Sequence, residues 1–196
     1  MYNGAIGLLK HNRVTTVQQT AHFPCANRQT ERRVRKLLRR LPPVAGAPVV
    51  IESAPLLRDR RGPVHGAAFL RERRIALSCT SSEFPRIFVH ELFHFIWLRA
   101  GNRARRSFEE VLAAEQWRGA RGELGWSAEW RKRALSATAV RARDRAWREY
   151  CCESFCDTAS WLYSGMPEHD EFTLAARFRR HRRAWFATFV ARGLSI

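Results

Sequence analysis

The sequence predicts an α+β fold, with a small sheet early in the chain and helices after it. Short apolar runs bounded by Pro and Gly lie before residue 80, and capped or amphipathic runs of helical length follow from about residue 82. The supply of apolar surface is enough for a core: 45% of the 196 residues are hydrophobic, including 7 Trp and 12 Phe, which excludes wholesale disorder.

Residues 1–27 show no sustained periodicity and read as an irregular lead-in, leaving 28–196 as a single domain. Asn27 can cap a first helix in which Val34, Leu37, Leu38 and Leu41 form an apolar stripe, and Pro42-Pro43 stops it. Pro48 to Glu52 reads as a short buried strand, and Pro55 to Gly66 as a basic loop rich in breakers. Gly66 to Leu70 and Arg74 to Cys79 read as two strands joined through Arg71-Glu72-Arg73. Ser81 or Ser82 can cap the next helix, which has Pro85 in its first turn and runs to Gly101. Ser107 with Glu110 has the form of a capping box that opens a further helix. Ser127 can cap another at Ala128. A long helix spans about Asp144 to Tyr163, and Asp170 can cap a last one carrying Phe172, Phe178, Trp185, Phe186 and Phe189.

The charge is lopsided: 35 basic residues against 18 acidic give +17, and only Lys10, Lys36 and Lys132 of the basic set are not Arg. Codon bias in a GC-rich genome produces the same skew, so charge alone does not specify a nucleic-acid partner. The positive field still attracts phosphate and predicts weak, non-specific nucleic-acid binding. The sequence has no apolar run of 18 residues for a membrane span and no basic leader with an apolar stretch behind Met1. Five cysteines, an odd number in a chain of this length, fit a reducing, cytoplasmic setting.

The chemistry concentrates in Val89-His90-Glu91-Leu92-Phe93-His94-Phe95. Two His four residues apart on a helix lie roughly 40° apart around it and about 6 Å along it, so both imidazoles reach one ion. Glu91 is placed to take a proton from a metal-activated water without binding the metal itself. Zinc suits two neutral imidazoles, and a catalytic zinc needs a third protein ligand. His169, His181, Cys151, Cys152, Cys156 and the later carboxylates are candidates. Glu153 is the strongest, because Glu153 and Asp157 share one helical face with no cation between them. Asp157 would then accept the free N–H of a ligand His and fix its tautomer.

His90-Glu91-x-x-His94 followed by Glu153-x-x-x-Asp157 resembles the gluzincin branch of the zincin metallopeptidases, over residues about 73–165. The resemblance implies a zincin-like fold. It also implies Zn2+ held by His90, His94 and Glu153, with Glu91 as general base acting on a protein or peptide substrate. It further implies a sheet-edge strand beside the cleft, here Arg74 to Cys79. The Arg- and Trp-rich segment between the motifs matches no subfamily, so no peptide preference carries over. For the oxyanion, His169 and Tyr150 are candidate catalytic residues beside Glu91. The cysteines read as small buried side chains, and Arg177, Arg179, Arg180, Arg182 and Arg183 as a solvated helix face. The expected function is therefore a zinc-dependent metallohydrolase, a peptidase. The alternative is a basic nucleic-acid-binding or DNA-associated regulatory protein.

Overall fold

The computed structural model describes residues 20–59, 62–78 and 82–196. Most of the lead-in (Met1 to Gln19), the end of the second expected strand (Cys79) and one candidate cap (Ser81) lie outside the described residues.

Helix α1 (Arg28–Leu38) opens as its sequence dictates: the Asn27 side chain accepts from the Thr30 amide at 2.8 Å, and Val34 and Leu37 face the core. Six short strands come next. They are β1 (Val44–Ala45), β2 (Val50–Ser53), β3 (Leu57–Asp59), β4 (Gly62–Val64), β5 (Gly66–Phe69) and β6 (Arg74–Leu77). The principal sheet has the order β2-β6-β5, with β2 parallel and β5 antiparallel to β6. Two expectations are corrected here. The strand that ends in Leu77 is central rather than an edge, because β2 occupies its far side, and β5 is the edge. The basic loop of residues 55–66 contains the antiparallel pair β3–β4, which close partners make possible despite weak strand propensity.

The lead-in also gains structure at its end. The carbonyls of His22 and Pro24 accept from Val49 and Ile51, and Phe23 joins the core. Residues 20–26 therefore run beside β2, inside the folded body and ahead of the expected boundary at residue 28.

The helices are α2 (Phe84–Arg99), α3 (Gly101–Trp117), α4 (Trp126–Ala134), α5 (Ala137–Ala142), α6 (Arg145–Tyr163) and α7 (Ala176–Val190), with β7 (Leu194–Ser195) returning to pair parallel with β1. The capping-box expectation at Ser107 fails, since α3 starts at Gly101. Gly101 takes φ +71, a left-handed value that breaks α2 from α3 at little cost for glycine. Ser107 instead accepts from Trp185 Nε1 at 3.0 Å. Helix α2 has Glu83 rather than Ser82 at its N-cap. Helix α4 starts earlier than a Ser127 cap implies, directly after Gly125. Helix α7 begins at Ala176, because the amides of Thr173 and Leu174 are drawn to the Glu123 carbonyl at 2.9 Å and hold residues 170–175 out of helix. Helix α6 and its Asp144 cap match the sequence reading.

Helix α2 is buried on most of its circumference, as a central helix must be. It packs against α6 through Phe93 and Trp97, whose rings lie 5.8 and 5.0 Å from Phe155. Phe108, Trp185, Phe186 and Phe189 extend this aromatic cluster onto α3 and α7. Such pairs contribute roughly 0.5–1.5 kcal/mol each beyond area burial, and here they set the spacing of the two site-bearing helices. The architecture is α+β, and no helix among the described residues is long and apolar enough to cross a membrane.

Candidate metal centre

The α2–α6 contact brings the two sequence motifs face to face. His90 and His94 sit one turn apart on α2, with Nε2 atoms 3.2 Å from each other. Across the interface, Glu153 Oε2 lies 3.3 Å from His90 Nε2 and 4.0 Å from His94 Nε2. For a tetrahedral ion with bonds of about 2.0–2.1 Å, neighbouring ligand atoms sit about 3.3 Å apart. The three atoms therefore come close to the spacing of one face of a zinc tetrahedron.

Each ligand candidate is held from behind. His90 Nδ1 donates to Asp157 Oδ1 at 2.7 Å, which leaves its Nε2 lone pair turned toward Glu153. Asp157 Oδ2 accepts from the Ala128 amide at 3.0 Å and so caps the first turn of α4 from a neighbouring helix. That is why Ser127 is not needed as a cap. Gly125 makes the approach possible, since a Cβ at that position would fall on the Asp157 carboxylate. Arg131 of α4 pairs with Glu153 Oε1 at 3.0 Å and leaves Oε2 facing the imidazoles. Behind His94, the Sγ atoms of Cys152 and Cys156 each lie 3.5 Å from Nδ1.

The cluster favours charged imidazole and charged carboxylate together. Burial opposes protonation of His94, but the Cys152 hydrogen bond and the Cys152 and Glu153 charges overcome it and raise its pKa to about 9. Burial would likewise raise Glu153, yet the His90 hydrogen bond, both imidazoles and Arg131 pull it to about 2. Glu91 goes the other way: burial raises it, more than the His90 and His94 charges lower it.

Glu91 lines the same cleft, a cavity of about 330 Å3 bounded by Gly66, Ile87, His90, His94, Arg131 and Glu153 among others. Edge strand β5 passes directly over it. A Cβ on Gly66 would come within 2.5 Å of Ile87 Cγ2 and 3.0 Å of Glu91 Oε1, so glycine lets strand and helix touch. At the mouth, Glu171 ties Arg86 and the Trp126 amide together at 2.8 and 2.7 Å.

Two expected residues are elsewhere. Tyr150 is fully buried, and its hydroxyl donates to Glu123 Oε1 at 2.6 Å in an ionic cluster around Arg182. The His169 ring meets Glu83 at 3.2 Å through Nε2 and accepts from the Glu171 amide at 3.1 Å through Nδ1, and it does not line the cleft. Neither position is that of an oxyanion donor. The expectation that Arg182 is solvated is also corrected: it is fully buried, 2.7 Å from both Glu115 and Glu123. Arg131, Glu171, Gly66 and Gly125 carry no local sequence signal for the site. Cys152 and Cys156 do carry one, their i, i+4 spacing on either side of Glu153, although the same spacing suits two small buried side chains.

A second trio, His90, His94 and Cys156, also places one potential donor atom from each residue within 4.8 Å of the others. No protein-family model, curated protein or solved structure matches this chain.

Proposed function

We propose that this chain is a zinc-dependent metallohydrolase, a peptidase with a zincin-like arrangement of the gluzincin kind. The observation that supports it most is the mutual spacing of His90 Nε2, His94 Nε2 and Glu153 Oε2, at 3.2, 3.3 and 4.0 Å. Those three would hold the ion. Cys156 is the weaker third ligand because its sulfur contacts His94 at Nδ1, whereas Glu153 Oε2 faces both Nε2 atoms.

When bound, zinc supplies Lewis acidity and lowers the pKa of water. The chain's own residues do the rest. Asp157 keeps the proton of His90 on Nδ1, so that Nε2 is free. Glu91 takes a proton from water and returns it to the leaving amine, and burial makes it a stronger base than an exposed carboxylate. Strand β5 pairs with β6 on one side and with no other strand among the described residues, and it offers that second edge to an extended peptide. The odd cysteine count supports a reducing, cytoplasmic setting for the reaction.

Zinc content and hydrolysis of a peptide library, compared between the wild type and Glu91→Gln, test this reading. Expected are about one zinc per chain in both proteins and a roughly 10²–10⁴-fold loss of turnover in the variant. Equal hydrolysis by the two, or no zinc in either after dialysis against zinc, overturns it.

A further inference from the structure

We propose that Cys152, Cys156 and His94 Nδ1 form a second metal site, selective for a soft ion such as Cu(I), on the reverse side of the imidazole that faces His90. Glu91 and Glu153 play no part in it, and it shares only His94 with the zinc site of the proposed hydrolase.

The two sulfurs sit one turn apart on α6, and each lies 3.5 Å from the same nitrogen. Bonds of the length zinc makes, about 2.3 Å to sulfur and about 2.0–2.1 Å to nitrogen, put sulfur and nitrogen about 3.5 Å apart at a tetrahedral angle, and a trigonal three-donor ion widens this only slightly. Both contacts meet that value. A hydrogen bond explains only one of them, because a ring nitrogen has a single in-plane direction and one proton serves one acceptor well. An ion on that direction would lie within reach of both sulfurs.

The donor types set the selectivity. Two thiolates and an imidazole favour Cu(I) over hard cations, which take carboxylate and carbonyl oxygen. Cys156 is fully buried while Cys152 is partly exposed, so the ion enters past Cys152 and is then shielded. Of the other described cysteines, Cys25 Sγ donates to the Phe23 carbonyl and Cys151 is buried. Binding releases the thiol protons. A neutral His94 that ligates through Nδ1 carries its remaining proton on Nε2, facing His90. The two donor sets of His94 therefore exclude each other, and Cu(I) on the thiol side weakens zinc binding on the other.

The test is an anaerobic titration of the full chain with Cu(I) supplied as a coloured chelate. Expected is one Cu(I) per chain, and a loss of affinity above about 100-fold in the double variant Cys152→Ser/Cys156→Ser. That exceeds the ~10–100-fold that an outer-sphere partner contributes. Glu153→Gln should keep Cu(I) binding while zinc affinity falls, which separates the two sites. Copper-edge X-ray absorption on the wild-type protein should find two sulfur neighbours and one nitrogen, and this holds even if the double variant does not fold. Undiminished Cu(I) binding by a folded double variant, or an absorption edge without sulfur neighbours, overturns the proposal.

Discussion

Asp157 accepts two hydrogen bonds at once, from His90 Nδ1 at 2.7 Å and from the Ala128 amide at 3.0 Å, one on each oxygen. Asp157→Asn leaves the shape unchanged but converts one acceptor into a donor, so both bonds can no longer form. If the amide NH2 turns to His90, the imidazole must accept at Nδ1, its proton moves to Nε2, and one zinc ligand is lost in that tautomer. If it turns to Ala128, two N–H groups oppose each other and α4 loses its cap, worth about 1 kcal/mol. The His90 bond is to a charged acceptor and is worth about 1.5–3 kcal/mol. At about 1.4 kcal/mol per decade, zinc affinity should fall by about 10–100-fold. Gly125→Ala should reproduce the defect without replacing a polar side chain, since Gly125 has extended backbone that alanine adopts freely and the added methyl displaces the Asp157 carboxylate. Zinc affinity by chelator competition, with His90 nitrogen shifts by NMR, measures both. Unchanged affinity and tautomer in Asp157→Asn would refute the idea that the carboxylate sets the imidazole.

Two further predictions concern the buried ions. Arg182→Met should destabilise the fold by about 3–5 kcal/mol, because Glu115 and Glu123 would stay buried without their main partner. Denaturant unfolding checks this, and a change below about 1 kcal/mol would mean that the cluster tolerates reorganisation. Burial would raise the Glu123 carboxyl, but Arg182, Lys132 and Tyr150 outweigh it and bring its pKa to about 2. A folded pKa below the unfolded value stabilises the protein above about pH 4–5, by on the order of 3 kcal/mol, and that contribution disappears as pH falls through about 2. Thermal melting from about pH 6 to 2 should follow this descent, and Glu123→Gln should flatten it.

The parts of the chain legible in its sequence are those whose cause is local. Asn27 and Asp144 cap the helices they precede, and His90, Glu91 and His94 need only one helical turn to come together. The opposition of Glu153 and Asp157 to that turn is foreseeable because both share one face of α6. What stays hidden depends on distant partners. Nothing in a run of arginines says that Arg182 alone turns fully inward, because Glu115 and Glu123 lie 67 and 59 residues away and meet it only after α3 and α7 pack. Ser107 has the form of a cap because a sequence cannot show that Gly101 has already restarted the helix. Tyr150 lies one turn before Glu153 and His169 in the loop after the same helix, which suggests a site role for both, whereas Glu123 and Glu83 take them.

Strands β1 and β7 join Val44 to Leu194 and Ala45 to Ser195, two pairings across almost the whole described chain. Closing so long a loop costs entropy that two residue pairs cannot offset by themselves, although the cost rises only with the logarithm of loop length. The clasp therefore closes after the helical core has brought its halves together, and it records completion of folding rather than initiating it. During synthesis, α2 and α6 can meet and assemble their His, Glu and Asp side chains before β7 exists. Assembly of the His–Glu–Asp cluster and closure of the fold are thus separable events, with the first able to precede the second.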